Sequence, residues 1–325
     1  MADPGNNNKL DSLAKANYAP YGIDYPNGPT GRFSNGRNVQ DVIAELLGFN
    51  DSITPFVNAN DTNILQGVNY ASGGAGILDE SGSKTLMMRV TLKEQINNHV
   101  SIVSKISGKL GEESAKKLLS QCIYSLQIGS NDYINNYFQP RFYNTSRQYS
   151  TEQYAAAVVQ QLSGHTKTLY EHGAKKFALY GLGLIGCTPY SIQVHGTADG
   201  SPCVDKMNLA VSIYNEKLKT LVRQLNANLT DTKVTYLNPA PKAAEFASFV
   251  NSGTCCKIGG GSGELCLHDS QVCESRDKYV FWDGEHTTEA FNLLTGKSAY
   301  EAESPMEAFP FNLKTLAAAN NNQGA

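Results

Sequence analysis

In the stretch YVFWDGEHTTEA, residues 279–290, an aspartate stands three residues before a histidine. Histidine is the side chain best suited to general-base work near neutral pH. A carboxylate on its second ring nitrogen sets the tautomer and stabilises the imidazolium. Asp283 and His286 on one turn can therefore reach a common site and activate a nucleophile. Two other stretches carry groups suited to a developing negative charge. NYASGGAGI (69–77) ends a predicted strand in glycines, which let backbone approach a ligand and point a free N–H at it. It lacks the full G-x-G-x-x-G dinucleotide pattern. In IGSNDYINNYF (128–138) the amide of Asn131 can donate to an oxyanion, while Asp132 is expected to fix the loop. Each stretch also has a plainer reading: an N-capping Asp beside a surface His, a glycine turn, an Asx turn closing a strand. His99, His165, His172, His195 and His268 stand in no carboxylate pattern and read as solvated or structural.

These residues need elements to position them. NVQDVIAELLG (38–48) has the spacing of a short helix stopped by Gly48. ILQGVNYAS (64–72) is a predicted strand, 91–110 a helix, and CIYSLQIG (122–129) an apolar, buried strand. The pattern over 150–173 predicts a long helix, with Ser150 and Thr151 as candidate N-caps and Gly173 beyond its end. A strand (175–183), a long helix (204–229), a strand (233–238) and a helix after His286 follow. Strands separated by such helices imply a parallel sheet covered on both faces, with sites beyond the carboxyl ends of its strands. No internal repeat or linker divides the chain. One domain is expected over 1–316, with a polar tail at 317–325.

Composition narrows the function. The chain has 325 residues, 41% hydrophobic and 18% charged, with a net charge of −3. No basic field is present to hold a nucleic acid, and no apolar run reaches the roughly 18 residues of a membrane span. Four of seven cysteines (Cys255, Cys256, Cys266, Cys273) crowd into GTCCKIGGGSGELCLHDSQVC without the paired C-x₂-C spacing of a zinc site, which suits a disulfide-pinned loop. Cys187 and Cys203 flank a polar loop that they could staple, leaving Cys122 as a buried thiol on a strand; the remaining connectivity stays open. Asn-x-Ser/Thr sequons at Asn50, Asn60, Asn144 and Asn228 point, with the cysteines, to a secretory route. Yet MADPGNNNKLDS has no basic or apolar leader region, so the expectation is that the front of the protein lies outside this chain.

Several blocks in order make the likeness specific. PGNNNKLDSLAKANYAPYGIDYPNGPTGRFSNGRNVQDVIAELLGF, GVNYASGGAGI, IGSNDYINNYF, GAKKFALYGLGLIGCTP, the cysteine loop and RDKYVFWDGEH together resemble a plant GDSL esterase/lipase of the SGNH hydrolase superfamily, over nearly the whole chain. The resemblance implies a flavodoxin-like three-layer α/β/α sandwich with a parallel sheet, and hydrolysis of carboxylic esters, often acyl lipids or acetylated sugars. It implies a small-molecule or lipid ester substrate, a secreted glycoprotein, and no metal or organic cofactor. By the same resemblance Gly73 and Asn131 match the oxyanion hole, Asp283 the triad acid and His286 the triad base.

The family's nucleophile lies in a Gly-Asp-Ser-Leu block that closes the first strand, a few residues before the Asn-rich GNNN. Here GNNN is residues 5–8 and only MADP precedes it. Asp3 matches the pattern's later Asp, and the serine falls upstream of Met1. The expectation is therefore an N-terminally truncated chain without its first strand or nucleophile, in which Ser72, Ser130 and Ser34 are poor substitutes. The alternative is a non-catalytic relative that binds acyl, glycan or protein ligands, or a non-functional product. Thr287 and Glu285 flank His286 where the family has proline and an aromatic, which is expected to perturb the acyl pocket. The segment between YLNPAP and TCC is shorter than the family's and lacks its Tyr-Gly-Phe.

Overall fold

The computed structural model describes residues 2–196, 200–239, 249 and 251–319. Helix α1 (Val39–Leu46) starts where the Asn38 side chain accepts from the N–H groups of Gln40 and Asp41 and the Asp41 carboxylate accepts from Asn38 N–H. Asp41 also holds Arg32 in a buried two-point ion pair at 2.7 and 2.8 Å. The same reciprocal cap, Thr91 with Glu94, opens α2 (Leu92–Leu110). Gly111, at φ +80°, then breaks the chain into α3 (Glu112–Gln121), which the sequence pattern did not reveal. β1 (Ile123–Leu126) follows, then α4 (Thr151–Glu171), capped by Ser150 and Gln153. The chain continues through β2 (Lys176–Tyr180), α5 (Asp205–Asn228), β3 (Lys233–Leu237), α6 (Glu289–Glu301), β4 (Ala308–Phe309) and α7 (Leu313–Ala318).

The sheet runs β4-β3-β2-β1, with β1, β2 and β3 parallel and β4 antiparallel to β3. Period-two alternation divides its side chains. Phe177, Leu179, Val234 and Tyr236 pack under α2, α4 and α5, while Ala178, Tyr180 and Leu237 pack against α1, α6 and α7. The result is a three-layer α/β/α sandwich. Burial of these apolar faces is its main stabilising term.

Two expected strands come out differently. Only Val68–Asn69 of the 64–72 stretch is strand, and it pairs with Thr54–Pro55 rather than with the main sheet. Gly67, at φ +118°, interrupts the run, and Ile64 instead buries in a small cluster with Ile102 and Ile106 of α2. The 122–129 stretch narrows to Ile123–Leu126 and is half-buried rather than buried, since among the described residues its outer edge has no strand partner. Cys122 caps α3 instead of lying on the strand, and is free and half-buried. Three disulfides link Cys187 to Cys203, Cys255 to Cys273 and Cys256 to Cys266. Helix α7 carries the chain to Ala318, two residues into the expected tail, and residues 320–325 lie outside the described ones. So do 240–248 and 250, where the short segment before TCC falls. Among the described residues no helix is long and apolar enough to cross a membrane.

Candidate active site

The Asp–His turn is a hairpin. Strand Tyr279–Phe281 runs beside Asn251–Thr254, and the chain reverses over 282–286. Trp282 N–H donates to the His286 carbonyl at 2.8 Å and Thr288 N–H to Val280 at 3.0 Å, which closes the turn. Asp283 is wholly buried. Its Oδ1 accepts from the N–H groups of Glu285 and His286 at 2.9 and 2.7 Å, and its Oδ2 from the Tyr21 hydroxyl at 2.7 Å. His286 Nδ1 sits 3.0 and 2.9 Å from the two carboxylate oxygens. A carboxylate there favours the proton on Nδ1, which leaves Nε2 as the basic nitrogen. Phe33 packs on the imidazole with centroids 4.7 Å apart. Nε2 has no partner among the described residues, and the ring borders a large cavity.

The glycine turn is held by residues far away in sequence. Asn6 Nδ2 donates to the carbonyls of Asn69 and Ala71, and Asn7 Nδ2 to those of Ala14 and Gly73. The Asp3 carboxylate accepts from Gly5, Asn6 and Gly73 N–H, the last at 2.8 Å. Burial raises the Asp3 pKa, and these donors oppose the rise. Gly73 N–H is thus engaged, whereas Gly74 N–H has no partner among the described residues. Asn131 donates one amide hydrogen to the Ala75 carbonyl at 3.0 Å and accepts from Asn135 Nδ2 at 2.8 Å. Asp132 fixes the loop as expected: it accepts from Ile77 N–H, Leu78 N–H and the Ser81 hydroxyl at 2.7 to 2.9 Å.

Gly73, Asn131 and His286 all border one cavity of about 1300 Å³, lined mainly by apolar side chains, with Glu264 and Glu285 near His286. Burial, then the charges of Glu264 and Asp283, hold the Glu285 carboxyl well above its ordinary range. The candidate serines are placed otherwise. Ser72 donates to Asn7 and accepts from Val90 N–H, and Ser34 is buried between Asn35, Gly36 and Asn292. Ser130 borders the cavity but makes no hydrogen bond to His286, and no other hydroxyl among the described residues does. Sequence spacing gives no sign of Tyr21, Phe33, Asp3 or Asn7 as site residues, because the bonds that bring Tyr21, Asp3 and Asn7 to the site are long-range, and only the Asn run at 6–8 and the family-pattern Asp3 offer a local signal.

Comparison with known proteins identifies the family. The family model of GDSL-like lipase/acylhydrolase matches residues 11–298. GDSL esterase/lipase At4g18970 of Arabidopsis thaliana is 44% identical over 98% of this chain and 90% of its own length. GDSL esterase/lipase At5g45670 matches to the same extent. GDSL esterase/lipase At1g29670, from the same plant, is 45% identical over 98% of this chain and 89% of its own. With the α/β/α sandwich and the Asp–His turn, these matches establish that the chain belongs to the GDSL esterase/lipase family of ester hydrolases.

Proposed function

We propose that the protein hydrolyses carboxylic esters, of acyl lipids or other acylated small molecules, by a Ser-His-Asp mechanism. The observation that carries this is the Asp283–His286 pair, whose Nε2 opens onto an apolar cavity. In this reading His286 Nε2 takes the proton of a serine hydroxyl as its oxygen attacks the ester carbonyl. The resulting oxyanion faces the 73–74 turn and Asn131. Collapse of the tetrahedral intermediate expels the alcohol, which takes the proton from His286. Water then repeats the sequence on the acyl-enzyme. Asp283 keeps the proton on Nδ1 throughout. Because Asp3 engages Gly73 N–H, Gly74 N–H joins Gly73 and Asn131 as a candidate donor.

Ser34 and Ser72 are committed to structural bonds, and Ser130 borders the cavity without a hydrogen bond to His286, so this mechanism's serine has no match among these candidates. Without it, a dyad and oxyanion hole retain roughly 10³-fold acceleration. The engaged Gly73 N–H favours a second reading, a non-catalytic relative that binds acyl, glycan or protein ligands. The three disulfides and four exposed sequon asparagines support an extracellular glycoprotein.

The test joins residues 1–325 to an N-terminal apolar strand ending in Gly-Asp-Ser. The extended protein should hydrolyse p-nitrophenyl butyrate and take up a fluorophosphonate at the added serine, and His286→Ala should abolish both. A folded extended protein inert toward p-nitrophenyl acetate, butyrate and palmitate overturns the ester-hydrolase reading.

A further inference from the structure

Residues 10–14 and 86–88 lie side by side as a short antiparallel ribbon. Leu13 N–H donates to the Leu86 carbonyl at 3.2 Å, Met88 N–H to the Asp11 carbonyl at 3.0 Å, and Ser12 stands opposite Met87. The inner side of the ribbon belongs to the site. Ala14 and Leu86 are buried with Phe33 and Trp282 and border the cavity, and a Cβ on Gly74 would lie 2.7 Å from Leu86 Cδ1. The outer side is apolar and open: Leu13 is 39% exposed, Met87 46% and Met88 55%. Directly opposed residues of an antiparallel pair ordinarily share a face, yet Ser12 is buried and Met87 is not. Met87 sits at φ +64°, in the left-handed region that a long L side chain rarely adopts. The backbone thus holds an unfavourable conformation at the residue where it turns a thioether to solvent.

Charge says what this face meets. Residues 9–15 and 84–89 carry Lys9, Lys15, Lys84 and Arg89 against the one carboxylate of Asp11, a local excess of three positive charges in a chain whose net charge is −3. Lys84 Nζ donates to the carbonyl of Phe142, itself 49% exposed, so the apolar face continues past the ribbon. We infer that the ribbon is a docking surface for an anionic lipid bilayer, with Leu13, Met87 and Met88 entering the acyl boundary and the cations meeting headgroup phosphates. Binding of this kind grows with the apolar area inserted and with attraction of Lys and Arg to anionic lipid. Unbranched thioether side chains adapt to a fluid surface. A second copy of the chain fits less well, since the two faces would bring like charges together. Docking stands on the ribbon alone. That the docked lipid also supplies the ester rests on the ester-hydrolase reading.

The test mixes the full chain with vesicles of phosphatidylcholine, alone or with phosphatidylglycerol in roughly equal parts. Methionine oxidation by dilute peroxide is then followed by mass spectrometry. Anionic vesicles should slow sulfoxide formation at Met87 and Met88 at least about tenfold. Met306, which precedes β4 and is 77% exposed, should be unaffected. Neutral vesicles should protect less, and salt should reverse the protection. Met87→Asn with Met88→Gln should weaken co-sedimentation with anionic vesicles roughly tenfold. Asn tolerates the left-handed backbone, so the ribbon keeps its shape. Lys84→Glu should weaken co-sedimentation by about the same factor. Equal protection of Met306, or none at Met87 and Met88, overturns the proposal, as does co-sedimentation that the variants leave unchanged. Self-association without vesicle binding, abolished by Met87→Asn, also overturns it and gives the face to a second copy. None of these readouts needs a serine. Vesicle binding by this chain, with its extended form inert on esters, upholds the docking surface and counts against the catalytic reading. An active extended protein that leaves vesicles alone does the reverse.

Discussion

The Tyr21 hydroxyl donates to Asp283 Oδ2 at 2.7 Å and itself accepts from Cys266 N–H at 3.0 Å, so one phenol ties Asp283 to the disulfide-pinned loop. Burial and the Asp283 charge raise the Tyr21 pKa far above its ordinary value, which keeps it a neutral donor. Tyr21→Phe removes both bonds. It leaves Cys266 N–H unpaired and Asp283 with one donor fewer. Unfolding in urea should show a loss of about 2 kcal/mol. In the serine-supplied enzyme, kcat should fall roughly tenfold with KM little changed, because the phenol orients the acid and does not touch substrate. Unchanged stability would show that water replaces the hydroxyl at no cost.

Asp132 makes stability depend on pH. Burial pushes its carboxyl up to about 6, against the hydrogen bonds from Leu78, Ile77 and Ser81 that favour the ionised form. In the unfolded chain it titrates near 3.9. Between those values the folded state holds the extra proton, so this group's contribution is greatest below about pH 4 and is lost as pH rises through about 6. The change is on the order of 3 kcal/mol. Asp132→Asn places an amide NH₂ against one of the N–H donors and should cost about 1–3 kcal/mol at pH 4.5. The gap between wild type and variant should then close by pH 7, since only wild type loses stability over that window. Urea titrations at the two pH values check the sign, and a gap that widens with pH contradicts it.

Local features of this chain were legible and long-range ones were not. Helix α4 could be placed because Ser150, Gln153 and Gly173 encode its ends within a few residues of each. Asp283 and His286 stood out because a single turn joins them. Tyr21 and Asp283 lie 262 residues apart, and Asn7 lies 66 from Gly73, so no spacing could announce either pair. The 64–72 stretch failed for a related reason. A strand exists through its partner, and among the described residues Val68–Asn69 has only Thr54–Pro55 beside it. Resemblance reached further than periodicity because it carries long-range order that local pattern cannot encode. It proposed Gly73 as an oxyanion donor, but it did not reveal that Asp3 occupies that N–H here.

The cysteine loop supports the Asp283–His286 turn from behind. Cys255 N–H donates to the Phe281 and Trp282 carbonyls, and Cys256 N–H to Trp282, all at 3.0 to 3.1 Å, directly before Asp283. The Cys256–Cys266 bridge closes a loop of 10 residues. Replacing both by serine should cost about 2–3 kcal/mol through the freed chain entropy of the unfolded state. A phosphine reductant should lower the thermal midpoint of wild type but move that of the double variant less. Equal sensitivity would assign the effect to the other two bridges.

Gly73 is constrained by packing. A Cβ there would lie 2.8 and 2.9 Å from Phe33 ring carbons and 3.2 Å from Asn7 Nδ2. Phe33 is itself buried against His286, with ring centroids 4.7 Å apart. Gly73→Ala must therefore displace the ring that seats the imidazole, at a cost of about 1–3 kcal/mol. In the serine-supplied enzyme the same change should lower kcat, because His286 loses a wall of its seat. Shortening the obstacle separates this steric cause from loss of an oxyanion donor. Phe33→Leu in the Gly73→Ala background should recover part of the stability, and a double-mutant cycle should give a coupling of about 1 kcal/mol. Additive losses would show that Phe33 yields freely, and the requirement for glycine would then come from its contact with Asn7.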